Sequence, residues 1–154
     1  MKEYLESLAK EEGCELLIGN EKISTGRGSF VEESTYQLEI THKRTKILVN
    51  CTFGAHAMAT IYAYLEPLSD GTKFSITTKS HFNTLFNRKK DRIVITCKDQ
   101  HLTKFLKENH ALNDLREICK TAEFDPYITG ENEKNNFILR TNFHLLFPER
   151  ELVM

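Results

Sequence analysis

The sequence has no tryptophan, only three prolines and almost no net charge. Its 21 lysines and arginines face 22 aspartates and glutamates, which gives a formal net charge of −1 at pH 7. A near-neutral chain generates no overall field that would attract nucleic acid or an anionic membrane surface. We therefore expect no nucleic-acid partner.

Long apolar runs are also missing. No run approaches the ~18 residues that a membrane span requires. The first six residues are largely charged and lack the apolar core of a secretory signal. The sequence thus predicts no membrane span and a cytoplasmic location.

The four cysteines, Cys14, Cys51, Cys97 and Cys119, are widely separated and form no CxxC pair. Three of them fall at apolar positions of predicted strands or helices, as buried free thiols do. We expect reduced, structural cysteines. The six histidines show neither an HExxH motif nor the close paired spacing of zinc ligands, so we expect no metal and no cofactor.

The chain does have enough hydrophobic residues to form a core. Hydrophobic residues make up 40% of it, with ten phenylalanines and five tyrosines. A chain of 154 residues is about the size of one domain and buries roughly 68–70% of its unfolded surface. We therefore predict a single domain over residues 1–154 that needs no disulfide.

The hydrophobic periodicity predicts both helices and strands. Apolar residues at helical spacing predict a helix over residues 2–12, followed by a short strand over 14–18 and a glycine-containing loop or irregular hairpin over 19–29. Residues 130–136 are polar and predict a turn. Alternation with a period of two, or a short apolar run, predicts further strands over residues 36–41, 47–53, 61–65, 74–77, 91–97 and 137–141.

Two helices are predicted near residues 100–121. Asp99 is placed to cap the first, because its carboxylate can accept from the free amides of the next turn. At about 100° per residue, Leu115 lies roughly 140° around the axis from Leu102, too far for one straight helix on one sheet. We therefore place a break at Asn109 and His110. The fold class is α+β, with a mostly antiparallel sheet of five to seven strands covered on one face by helices.

A set of mostly core-forming residues follows the N-terminal helix and the antiparallel strands: Phe74, Ser75, Ile76, residues 91–96, Asp99, Phe105, Leu106, Leu112 and Leu115. These residues and this order of elements resemble domains in uncharacterised bacterial proteins of the DUF3137 type. The matching residues cover about a third of the chain. The resemblance implies an α+β fold, and it supplies no catalytic residue.

One segment, residues 81–92, mixes aromatic and cationic side chains. The predicted partner contacts are Phe82, Phe86, Arg88, Lys89, Lys90 and Arg92. Apolar anchors with a charged rim are typical of protein interfaces. The alternative is a solvated loop whose aromatic residues plug an edge of the sheet.

No recognisable catalytic constellation appears in the sequence. We therefore expect a non-catalytic interaction or binding module that recognises another protein. A separate hypothesis is self-association through an unpaired edge strand. The alternative is an enzyme or small-ligand binder whose polar residues meet only in the fold. Its candidates are His81, Cys97, Asp99 and His101.

Overall fold

The computed structural model describes residues 2–24, 26, 28–54, 56–68, 72–79, 92–121 and 124–145. In chain order the elements are α1 (Lys2–Glu12), β1 (Leu16–Ser24), β2 (Phe30–His42), β3 (Thr45–Phe53), β4 (Ala57–Leu65), β5 (Lys73–Thr78), β6 (Ile93–Cys97), α2 (Gln100–Glu108), α3 (His110–Thr121), β7 (Tyr127–Glu133) and β8 (Asn136–His144). None of the described helices has the length and apolar character needed to cross a membrane.

All the described strands belong to one antiparallel sheet in the order β1-β2-β3-β4-β8-β7-β5-β6. The α+β class and the antiparallel sheet are confirmed. The predicted number of five to seven strands is wrong, because the described part of the chain has eight. Two stretches, one predicted to be a loop or irregular hairpin and the other a turn, contain paired strand residues beyond the predicted strands.

The first of these stretches is residues 19–29, predicted to be a loop or irregular hairpin: β1 continues through Ser24, so a hairpin with β2 forms here. The pairing of β1 with β2 is unbroken from Leu16 opposite Leu38 to Ser24 opposite Phe30. Main-chain hydrogen bonds to a long neighbouring strand override the weak strand preference of its glycine and polar residues.

The second stretch is β7, which occupies most of the predicted turn. The turn between β7 and β8 is only two residues long, and Lys134 in it has a left-handed φ of 53°. The β2–β3 hairpin is also closed by two residues, Lys43 and Arg44, with φ of 46° and 69°. Two left-handed central residues match the twist of the flanking strands.

The helices cover one face of the sheet, which we call the helix face. Residues directly opposite each other in neighbouring strands lie on the same face, so the register assigns every strand residue. At one end α1 packs Leu5 and Ala9 on Leu38, Cys51 and Ala59. At the other end the core combines residues of α2 and α3 with buried strand residues: Leu112, Phe74, Ile76, Ile93 and Phe137.

The break between α2 and α3 is where the sequence predicts it. The Asp99 carboxylate accepts from the amides of His101 at 2.8 Å and Leu102 at 3.2 Å. Asn109 ends α2, and its Oδ1 accepts from the Ala111 amide at 2.9 Å. Two local caps therefore fix the start of each helix.

None of the four cysteines is in a disulfide, as predicted. Cys51 and Cys119 are buried on the helix side, and Cys14 and Cys97 are half-buried. Burial raises the pKa of the Cys51 thiol. Burial also raises the pKa of Cys119, more than the nearby Arg92 charge lowers it.

Candidate binding surfaces

Of the predicted partner segment, Phe82, Phe86, Arg88, Lys89 and Lys90 lie outside the described residues. Arg92 is described, and it points inward with only 5% of its surface exposed. The contact of residues 81–91 with a partner stays a prediction.

The Arg92 guanidinium joins three parts of the fold. Its Nη1 donates to the Cys119 carbonyl at 2.6 Å, and its Nε donates to the Lys79 carbonyl at 3.2 Å. Its Nη2 forms an ion pair with Asp125, which also accepts from the Thr78 hydroxyl at 2.9 Å. Arg92 thus ties the β5–β6 edge to the end of α3 and the chain entering β7. This explains why a cationic residue in a charged run is buried.

The candidates for a site assembled in the fold are not gathered in one described pocket. Cys97 lines a groove on the sheet, but Asp99 and His101 do not line it. The Asp99 carboxylate is occupied in capping α2, and His81 lies outside the described residues. Within the described ranges, no group of three or more His, Cys, Asp and Glu side chains could hold a metal ion.

The face opposite the helices, the open face, carries a groove of about 470 Å³ over β5, β6, β7 and β8. Its lining is mainly cationic and hydroxyl-bearing: Lys73, Phe74, Ser75, Thr96, Cys97, Lys98, Tyr127, Thr129, Glu131, Arg140 and Asn142. The Lys73 ammonium binds the Glu131 carboxylate at 2.5 Å, and this hydrogen bond is the main cause that raises the pKa of Lys73.

Arg140 lies at the centre of the open face. Its guanidinium carbon is 5.1 Å from the centroid of the Tyr62 ring, within the range of a cation–π contact. Its Nη2 is 3.7 Å from the Glu133 carboxylate, beyond hydrogen-bond distance, and its Nε has no hydrogen-bond partner among the described residues. The guanidinium is therefore held in place while some of its donors remain unused.

The second surface is the outer edge of β1. In the described sheet β1 is a terminal strand, so one of its edges has no described strand beside it. Leu16 is half-buried and the other eight residues of β1 are exposed. The apolar side chains Leu17, Ile18 and Ile23 are 52%, 45% and 43% exposed.

Neither surface was predicted from the sequence, although self-association through an unpaired edge strand was one of the hypotheses. The groove depends on the register of β8, β7, β5 and β6, which pair residues far apart in the chain, and no local pattern encodes that register. For β1, the available signal was Ile23, an apolar residue within the glycine-containing stretch over 19–29, which indicates that the strand continues past Ile18.

Comparison of the chain with protein-family models, curated proteins and solved structures gives no significant match. The resemblance to the DUF3137 type stays a prediction.

Proposed function

We propose that this protein is a non-catalytic interaction module that pairs with a second copy of itself through the outer edge of β1. The observation that supports this most is the exposure of eight consecutive residues in a nine-residue terminal strand. A free strand edge offers unpaired main-chain donors and acceptors, which is how strands are added to sheets in protein recognition.

β1 has few of the features that natural edge strands use to prevent such pairing. It contains no proline, and its two charged residues, Glu21 and Lys22, have opposite signs. Lys22 is 3.6 Å from Glu32 on the neighbouring strand, so that charge is partly balanced within one chain. An edge protected against pairing usually carries a bulge, a proline or an inward-pointing charge.

The sequence of β1 also favours a second copy over an unrelated strand. Asn20 is the central residue of β1. If two antiparallel β1 strands pair about a two-fold axis at Asn20, Leu17 of each copy lies opposite Ile23 of the other. Both residues are on the open face, where two apolar cross-strand pairs would form. The same register places the small Gly19 opposite Glu21.

Sedimentation of the full chain over a range of concentrations tests the proposal. We expect a reversible monomer–dimer equilibrium. Leu17→Glu should shift it toward monomer, because the new carboxylate faces Ile23 of the second copy. Adding Ile23→Lys to Leu17→Glu should restore dimer, because the register then places the introduced carboxylate of each copy opposite the introduced ammonium group of the other.

The matched control is Ile18→Glu, which introduces the same charge on the other face of β1, opposite Lys22 in this register. It should weaken dimerisation less than Leu17→Glu. A wild-type chain that stays monomeric at every concentration would overturn the proposal. Dimers that are unaffected by Leu17→Glu would place the interface elsewhere.

A further inference from the structure

The open-face groove has an excess of positive charge, although the chain as a whole has almost no net charge. Three cationic residues, Lys73, Lys98 and Arg140, line it together with one carboxylate, Glu131. The ion pair with Glu131 offsets the charge of Lys73. The remaining positive charge comes from Lys98 and from Arg140, whose Nη2 is 3.7 Å from the Glu133 carboxylate outside the lining, against a net charge of −1 for the whole chain.

A row of hydroxyl groups leads away from Arg140 across the sheet. Arg140 lies opposite Thr129, Thr129 opposite Ser75, and Ser75 opposite Thr96. Strands are about 4.8 Å apart, so the row from Arg140 to Thr96 spans about 14 Å. Asn142 and Tyr127 form a second opposed pair beside it.

These features match the chemistry of a small polar anion. A guanidinium presents a planar fork of donors that fits carboxylate and phosphate oxygens, and it stays charged at any physiological pH. The Tyr62 ring beneath Arg140 limits the positions that the guanidinium can take. Hydroxyl groups can donate to or accept from the neutral part of a ligand. A volume of about 470 Å³ is within the range of small-molecule sites.

We propose that the groove binds a small organic anion. Its phosphate or carboxylate head is held by Arg140, and its hydroxyl-bearing body lies along Thr129, Ser75 and Thr96 toward Lys98 at the far end of the groove. This site is at the opposite end of the sheet from β1, so it is independent of the self-association proposed above.

The test is an amide chemical-shift titration of the ¹⁵N-labelled full chain at constant ionic strength. Glycerol 3-phosphate supplies a phosphate head, malate supplies carboxylate heads, and glycerol is the uncharged control. We expect saturable shifts at Ser75, Thr129 and Arg140 with one or both anions, and none with glycerol. The anion that binds more tightly identifies the head group. No saturable shift with either anion would overturn the proposal.

Substitutions then test which side chains contact the anion. Arg140→Gln should weaken anion binding by about tenfold or more, the size expected for a lost charge-assisted contact. Lys46→Gln removes a cation from the same face outside the groove and should leave binding unchanged. Equal losses of anion affinity in the two variants would mean that the anion is attracted by the overall positive charge of the face. That result would overturn the proposed site.

Thr129→Val keeps Arg140 and the strand propensity while removing one hydroxyl of the row. It should weaken binding by a smaller factor than Arg140→Gln. This variant tests the site even if Arg140→Gln fails to fold. Unchanged affinity in Thr129→Val would remove the hydroxyl row from the proposal, and unchanged affinity in both variants would overturn it.

Discussion

The helix face and the open face of the sheet differ in what their residues do. On the helix face Leu38, Ala59 and Phe137 are 1–2% exposed and pack in apolar clusters with the helices. On the open face Tyr62 and Arg140 are only half-buried, among hydroxyl and amide groups. An antiparallel sheet can bury one face and leave the other in water. Folding therefore depends mainly on the helix face, and the open face can change with little effect on stability.

The largest test of this difference uses two neighbouring residues of β8. Phe137 points to the helix face, where its ring stacks on Phe74 with centroids 6.2 Å apart. Phe137→Ala should lower the free energy of unfolding by about 3–5 kcal/mol, because it removes a buried ring and leaves a cavity. Ile138 points to the open face, and Ile138→Ala should have a markedly smaller effect. Urea unfolding measures both, and equal losses would contradict the asymmetry between the faces.

A second test adds a methyl group to each face of the sheet by replacing a glycine with alanine, instead of removing atoms. Gly130 lies on the helix face, where a Cβ would come within 2.7 Å of Phe137 Cζ and closer still to Phe74. Gly130→Ala should destabilise the protein by about 1–3 kcal/mol through overpacking.

Gly19 is the matched control on the open-face side of β1. The nearest atom to a Cβ there is Thr35 Cβ at 4.0 Å. Gly19→Ala should be neutral or stabilising by about 0.5–1 kcal/mol, because alanine loses less backbone entropy on folding. A Gly130→Ala protein as stable as wild type would mean that the two phenylalanine rings can move apart.

The features that could be predicted from sequence are those fixed by local chemistry. Asp99 and Asn109 bond to amides two or three residues away, so the caps and the break between α2 and α3 were predictable. Arg92 reaches acceptors as far away as Asp125, and Arg140 and Ser75 line one groove although a strand lies between them. Such contacts depend on strand order and register, which local patterns do not determine. The core was therefore predictable, whereas the groove and the free edge of β1 were not.

A third, smaller effect concerns how α2 is fixed over the helix face. Asp99→Ala removes the acceptor for two amides and should cost about 0.5–2 kcal/mol in urea unfolding. Asp99→Asn should be close to wild type, because asparagine caps nearly as well. A large loss in Asp99→Asn would mean that the negative charge, and not the cap, is what the site needs.

The smallest expected effect is a pH dependence that comes from the two buried thiols on the helix side. Burial raises the pKa of Cys51 and of Cys119 in the folded protein, whereas an unfolded thiol titrates at about 8.5. The folded state therefore holds these protons more tightly. Their contribution to stability is complete below about pH 8.5 and is lost as pH rises through the folded pKa values.

Unfolding free energies measured on both sides of this range should thus fall with pH in the wild-type chain. They should fall less in a Cys51→Ala, Cys119→Ala double variant, although that variant is less stable throughout. Replacing the half-buried Cys14 is the matched control, because the two buried thiols would remain and the slope should stay as in wild type. If the slope survived removal of both buried thiols, groups other than the buried cysteines would be responsible for it.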